Sequence, residues 1–345
     1  MKNIFFILLS LVFQLTFSQN HSLKEMLAQQ SLTKRDTVFR IHAPDGSEAK
    51  IPATLIIGKL KGPTLTIVAG IHGTDYPAIA TITKLRKEIS PEKLKGNLIL
   101  IPVLNMESFF SRNPDKNPVD KKDLNRSFPG NAAGTITEVI ADFITTKIFD
   151  ATDIFIEVHG GGNHTAELAL IGYYENKEFA EQTRMSFKLC EATGFPYIVS
   201  YPFEIQSGQP AIYAFKQSVR LGIPSLSMHM GTAVKGQKTI QLSAKTAFYN
   251  IMGKLGMYEP QKKVAVPTKK TRYIHQSYVL SPAQGFFRSS CKPGQKVLQE
   301  EEIGYITNSF GKNVKIITAP KSGTILSKIA TPPVNKGDML FFIGS

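Results

Sequence analysis

Thr64-Leu-Thr-Ile-Val-Ala-Gly-Ile-His72-Gly-Thr-Asp75-Tyr-Pro77 decides the fold class of this chain. A β-branched and aliphatic run ends at Gly70, and the ring of Pro77 suits the first turn of a helix. The segment predicts a buried strand that hands over to a helix over about 77–88. An imidazole and a carboxylate sit three positions apart at the handover. In parallel α/β sheets, ligands collect at that end of the strands. His72 and Asp75 at this spacing suit one side of a zinc ion, which accepts nitrogen and oxygen donors. Such pairs also arise by chance, so residues further along the chain must supply the rest of a site.

Working outward, the alternation continues. Two strands read out between 37 and about 60 around the Asp45-Gly46 turn. Strands follow at 97–103, 153–159, 168–173 and 224–230, interleaved with helices near 135–148, 177–191, 212–221 and 240–255. This predicts an α/β fold with an open, mostly parallel or mixed sheet covered on both faces. Residues 104–134 read as a long polar loop, and loops of that length are usually functional.

The 345 residues suffice for a sizeable core and two domains. Lys2 precedes an apolar run over 4–17, and Thr16-Phe-Ser18 places small residues at −3 and −1 of a cleavage site. The run falls short of the ~20 residues that span a bilayer, so 1–18 reads as a secretory signal peptide. Export to the periplasm or the exterior is the expectation, with no stable membrane insertion after cleavage. Cys190 and Cys291 lie far apart in the sequence. An oxidising destination permits a bridge, but two buried thiols acting as small hydrophobes is the favoured reading. The net charge of +14 comes from scattered lysines, not massed with aromatics, which argues against nucleic acid as a partner. Acidic substrates or anionic envelope material suit that charge.

The expected division is signal peptide 1–18, catalytic domain 19–258, linker 259–270 and a small β domain 271–345. The linker carries two lysine pairs with Pro260 and Pro267. In the β domain, Gly285-Phe-Phe and Pro293-Gly-Gln-Lys-Val-Leu298 parallel Gly323-Thr-Ile and Asn335-Lys-Gly-Asp-Met-Leu340. Two related halves predict an all-β barrel or sandwich. The pattern resembles the barrel-sandwich fold of lipoyl and biotinyl domains. Lys321 lacks the flanking residues of a carrier lysine, so a structural or substrate-limiting role is expected.

His159 ends a second buried strand and is followed by Gly160-Gly-Gly162. It reads either as a hydrogen-bonded core histidine or as a third ligand; catalytic zinc takes three protein ligands and keeps one position open. Glu157 points to the same strand face and can orient the other ring nitrogen of His159. His164 is kept outside the ligand set. Between the ligands lies Asp123-Leu-Asn125-Arg126-Ser-Phe-Pro-Gly130, preceded by Arg112. Guanidinium groups in such a loop suit bidentate capture of a carboxylate and stabilisation of a developing oxyanion.

The order H-x-x-acid, D-L-N-R-x-F-P-G, then a histidine on a strand resembles the succinylglutamate desuccinylase/aspartoacylase family of the zinc-carboxypeptidase superfamily. The resemblance covers roughly 50–345. It implies a carboxypeptidase-like α/β/α mixed sheet with a C-terminal β domain, and one Zn2+ per chain held by His72, Asp75 and His159. It further implies that Asn125 and Arg126 anchor a substrate carboxylate while Arg112 polarises the carbonyl being cleaved.

Three positions depart from that pattern. The family usually has glutamate where Asp75 stands; the aspartate is shorter by one carbon–carbon bond, about 1.5 Å. Its loop must come closer, or the metal is held more weakly. Glu157 replaces the aspartate common before the third ligand. The family's general-base glutamate falls on His229. Zinc brings water from a pKa of about 15.7 to about 7, worth roughly 12 kcal/mol, against roughly 3–5 for a positioned base. The metal is the larger lever, and histidine is itself a competent base. His229 reads as a replacement base, a further zinc ligand or the mark of a silent site. The expected function is an exported zinc hydrolase cleaving an amide in a carboxylate-bearing substrate, either an N-acyl amino acid or a short peptide or peptidoglycan fragment. A metallocarboxypeptidase and a catalytically silent binding protein are the alternatives.

Overall fold

The aliphatic runs form the strands of one large sheet. These are β1 (Thr33–His42), β2 (Glu48–Ile57), β3 (Leu60–Ala69), β4 (Lys95–Ile101) and β5 (Ile154–His159). After the short β6 (Thr165–Glu167), the sheet continues with β7 (Ala169–Glu175), β8 (Tyr197–Pro202), β9 (Ser225–Met230) and β10 (Thr271–Tyr273). The helices are α1 (Leu23–Gln29), α2 (Tyr76–Glu88), α3 (Met106–Ser111), α4 (Ile136–Phe143), α5 (Ala180–Ala192), α6 (Ala214–Arg220) and α7 (Gln237–Lys254). This computed structural model describes residues 22–29, 32–111, 115–160, 165–206, 208–231, 237–259 and 270–345. The expected signal peptide and almost all of the expected linker lie outside the described residues.

The nine-stranded sheet runs β1-β2-β4-β3-β5-β9-β7-β8-β10. Neighbours β4, β3, β5 and β9 are parallel, whereas β1/β2, β2/β4 and β7/β9 are antiparallel, so the sheet is mixed. Residues alternate across it, as strand geometry requires. Leu65, Ile67, Ile154, Ile156, Leu226 and Met228 face one way and pack with α2, α5 and α7. Val68, Ile99, Ile101 and Phe155 face the other way and pack with α1, α4 and α6. Each such side chain taken fully out of water contributes roughly 1.5–3 kcal/mol. Against that background, Glu157, His159, Ser227 and His229 interrupt the second face at the carboxyl ends of β5 and β9.

The C-terminal strands are β11 (Gln276–Leu280), β12 (Gly285–Arg288), β13 (Lys296–Val297), β14 (Glu302–Thr307), β15 (Asn313–Thr318), β16 (Gly323–Ile329), β17 (Pro333–Val334) and β18 (Met339–Gly344). They form two antiparallel sheets, β11-β18-β16-β13 and β15-β14-β12-β17. Both contribute to a core that includes Phe287, Ile303, Ile325, Leu340 and Phe341. Cys190 and Cys291 are free, buried and in different cores.

The sequence pattern did not reveal β8, whose Tyr-Ile-Val-Ser-Tyr-Pro is flanked by prolines. Its pairing with β7 and β10, distant along the chain, makes it a strand. The expected boundary near 259–270 is crossed twice by strand pairing. β10 joins the large sheet, and β6 joins β16 of the C-terminal unit. The helix expected over 135–148 divides, with α4 ending at Phe143 and a π-turn over Ile144–Ile148. Among the described residues no helix is long and apolar enough to cross a membrane.

Candidate metal centre

Where β3 ends, Gly70 takes φ +65°, and a Cβ there would fall 2.8 Å from Cα of Val103. Only glycine tolerates both, and the chain turns there toward His72. Asp75 stands at the N-cap of α2 but makes no side-chain cap hydrogen bond. Its carboxylate turns inward instead. Oδ2 accepts from the His72 backbone N–H at 3.1 Å and Oδ1 from Gly160 N–H at 3.1 Å. One short side chain thus ties the loop after β3 to the end of β5.

His72, Asp75 and His159 offer donor atoms that all lie within 4.8 Å of one another. Asp75 Oδ2 is 3.9 Å from His72 Nδ1 and 3.6 Å from His159 Nδ1, too far for hydrogen bonds. His159 Nδ1 is buried with no hydrogen-bond partner among the described residues. Two imidazoles, one of them with an orphaned ring nitrogen, and a carboxylate match the requirement of a divalent N/O-seeking ion.

The other ring nitrogen of His159, Nε2, contacts Glu157 Oε1. Glu157 is 1 % exposed and also accepts from Asn125 Nδ2 and from Phe215 N–H, both at 2.8 Å. Burial pushes the Glu157 carboxyl up, but the charge and hydrogen bond of His159 outweigh it and leave it below its usual range. Asp75 behaves likewise, with burial opposed by His159 and His72. Burial pulls His159 down, and the two carboxylates overcome this and set it well above an ordinary imidazole.

The octapeptide supplies the opposite wall. Asp123 accepts from Asn125 N–H at 2.8 Å, shaping a single helical turn over Leu124–Arg126, and its Oδ1 lies 3.9 Å from His72 Nε2. Asn125, expected on a substrate carboxylate, spends its amide inside the protein. Nδ2 donates to Glu157, and Oδ1 accepts from Ala214 N–H at 3.0 Å at the start of α6. Arg126 stays half-exposed, 4.7 Å above the ring of Tyr213. Arg112 and His164 lie outside the described residues.

His229 sits opposite His159 in the β5/β9 register, with ring centroids 5.3 Å apart; His72 and His159 are 5.2 Å apart. His229 Nδ1 lies 3.3 Å from Glu167 Oε2, and Nε2 lies 3.3 Å from Ser227 Oγ. The donor group does not include it. Sequence reasoning missed Asp123, Glu167 and Tyr213. Asp123 opens the octapeptide and was within reach of it. Glu167 left no local signal, because the pairing of β6 with β16 places it.

Comparison with known proteins bears on the family and the fold. The sequence profile of the succinylglutamate desuccinylase/aspartoacylase catalytic domain matches residues 61–254, more than half of the chain. The N-alpha-acetyl-L-2,4-diaminobutyric acid deacetylase of Halomonas elongata is 25 % identical over 299 residues, covering 85 % of each chain. The crystal structure of a succinylglutamate desuccinylase/aspartoacylase from Rhodobacter sphaeroides superposes with a TM-score of 0.79 at 21 % identity, over 92 % of this chain and 97 % of that one. The product-bound ectoine utilization protein EutE (DoeB) of Ruegeria pomeroyi gives 0.78 at 22 %, with the same coverage. The chain belongs to the succinylglutamate desuccinylase/aspartoacylase family.

Proposed function

We propose that this chain is an exported zinc hydrolase that deacylates an N-acyl amino acid with a free carboxylate. The observation that carries the reading is the convergence of His72, Asp75 and His159 around an orphaned imidazole nitrogen, with Asp123 lying 3.9 Å from His72 Nε2 and 3.8 Å from Arg126 Nη1. The family and the deacetylase relative support amide hydrolysis. The layered sheet supports a carboxypeptidase-like α/β/α core, and the paired C-terminal sheets support a barrel-sandwich accessory domain. The sequence over 1–18 supports export to the periplasm or the exterior.

When bound, zinc supplies a Lewis acid and lowers the pKa of water to about 7. His72, Asp75 and His159 hold it. Glu157 keeps the proton on His159 Nε2, so that Nδ1 is presented to the ion. Arg126, braced on Tyr213, meets the substrate carboxylate, and Arg112 is assigned to the carbonyl under attack. His229 carries a proton at Nε2 toward the leaving nitrogen, its ring held by Glu167 at Nδ1. The rival reading, a silent binding protein, draws on the imidazole at the family's general-base position.

A panel of N-acyl amino acids and short peptides assayed with the zinc-loaded protein separates these readings. Turnover abolished in His229→Ala and raised in His229→Glu is expected. Bound zinc with no turnover on any panel member means a binding protein. Arg126→Ala is expected to raise KM about 10- to 100-fold, the worth of a charge-assisted hydrogen bond, while zinc content is retained. Loss of zinc in that variant means Arg126 is misplaced.

Protonation adds a further expectation. The metal-free fold favours the proton on His159, so its contribution to stability is complete below an ordinary imidazole pKa and is lost as pH rises through the elevated value. Zinc competes with that proton, so apparent affinity is expected to rise with pH across the same window, with proton release on loading. Calorimetry in two buffers of different ionisation enthalpy measures the release, and no buffer dependence contradicts it.

A further inference from the structure

In the C-terminal unit, β14 and β15 are joined by a turn over Asn308-Ser-Phe310-Gly-Lys312 whose shape is fixed by hydrogen bonds. Asn308 Oδ1 accepts from the Phe310 N–H at 3.0 Å and from the Lys312 N–H at 3.1 Å. The Asn308 N–H donates to Lys312 O at 3.0 Å, and the Gly311 N–H to Asn308 O at 3.1 Å. Gly311 takes φ +76°, which glycine adopts without strain. The turn therefore presents the Phe310 side chain in one place, and that place is water: Phe310 is 85 % exposed.

The same hairpin carries an apolar outer face. Cross-strand partners share a face of a sheet. Ile316 lies opposite Tyr305, Tyr305 opposite Arg288, and Phe286 opposite Pro333. Phe287, Ile306 and Ile317, which alternate with them, belong to the core, so the first set looks outward. Ile316 is 60 % exposed, and Val314 and Phe286 are exposed as well. β15 also forms the edge of its sheet. An apolar stripe thus runs from the hairpin tip along an open edge, the kind of surface that marks an interaction site.

Charge selects the occupant. Lys312 adjoins Phe310 in the turn, Lys315 lies within β15, and both are exposed, as is Arg288 on the outer face. The one carboxylate of the hairpin strands, Glu302, lies opposite Thr318 at the end far from the turn. Residues 271–345 carry nine lysines and arginines against four aspartates and glutamates, in a chain of net charge +14. A second copy of the chain brings the same lysines to this edge, and like charges repel; lysine on an edge strand guards against strand-on-strand pairing. An anionic bilayer surface reverses the sign. It attracts basic groups and admits aromatic and aliphatic side chains at the boundary between headgroups and acyl chains.

We propose that the β14–β15 hairpin docks this chain on an anionic lipid surface. Phe310 enters at headgroup level with Ile316 and Val314 behind it, while Lys312 and Lys315 meet the lipid phosphates. The attachment is peripheral, since among the described residues no helix is long and apolar enough to cross a membrane. The proposal uses none of the residues of the metal centre and stands apart from the deacylase reading.

Co-sedimentation of the chain over 19–345 with lipid vesicles tests this, using phosphatidylcholine alone and phosphatidylcholine mixed with phosphatidylglycerol. Binding to the mixed vesicles is expected, with much weaker binding to phosphatidylcholine alone. Replacing both lysines, Lys312→Gln with Lys315→Gln, is expected to weaken binding to the mixed vesicles about 25-fold, because each basic residue at an anionic surface is worth about fivefold. Phe310→Ser is expected to weaken it about fivefold or more, through the apolar surface withdrawn from the lipid. That substitution leaves the backbone bonds of the turn in place, so an unchanged melting temperature is expected. Ile316→Ser probes the same face from β15 and is expected to act in the same direction. Equal binding to both kinds of vesicle overturns the proposal, as does no binding to either. Unchanged binding in the lysine variant, or in both Phe310→Ser and Ile316→Ser, overturns it too. A concentration-dependent dimer in analytical ultracentrifugation, abolished by Phe310→Ser in a chain that ignores vesicles, assigns the face to a second copy and also overturns it.

Discussion

His159→Ala is expected to empty the metal site and to lower kcat/KM by about 10³-fold or more, given how much of the barrier rests on the ion. The three donors come from one loop, between β3 and α2, and from the end of β5, and His159 is the one whose presented nitrogen has no other partner among the described residues. Without it, His72 and Asp75 hold the ion from one side only. The substitution also leaves Glu157 buried without the imidazole that offsets its charge, so stability falls together with activity. Metal analysis and kinetics on the purified variant check this. One zinc per chain with more than a tenth of the wild-type rate contradicts it.

Glu157→Ala is expected to have the largest effect on stability, on the order of 4 kcal/mol. The carboxylate accepts from three buried donors: His159 Nε2, Asn125 Nδ2 and the Phe215 N–H. Stranding each costs about 1–3 kcal/mol. His159 also loses the partner that fixes its tautomer, so zinc affinity is expected to fall a further 10- to 100-fold. Glu157→Gln keeps one acceptor oxygen and is expected to lose less on both counts. Urea denaturation of the metal-free protein and competition with a chelator separate the two effects. An alanine variant as stable as the parent, with unchanged affinity, means that Glu157 neither braces α6 nor orients His159.

What could be read in advance divides along physical lines. β3 and β5 were legible because strands buried on both faces are written as unbroken aliphatic runs, and the polar residues ending those runs mark the site. β8 was not, because its flanking prolines carry loop signals and only pairing with β7 and β10 makes it a strand. The octapeptide announced itself by composition, yet the fates of its members depend on tertiary contacts. Asn125 turns inward to Glu157 and α6, while Arg126 stays at the surface on Tyr213. Glu167 reaches the site because β6 pairs with β16, about a hundred residues beyond His229 along the chain, and local periodicity does not encode such a pairing.

One ion shared by two imidazoles and one short carboxylate is the centre of the proposed chemistry. Anomalous diffraction at the zinc edge from crystals of the zinc-loaded protein tests this directly. A single peak bonded at about 2.0–2.2 Å to His72, Asp75 and His159 is the predicted result. Density for zinc elsewhere, or full hydrolytic activity in a preparation whose crystals show no zinc at these residues, contradicts it.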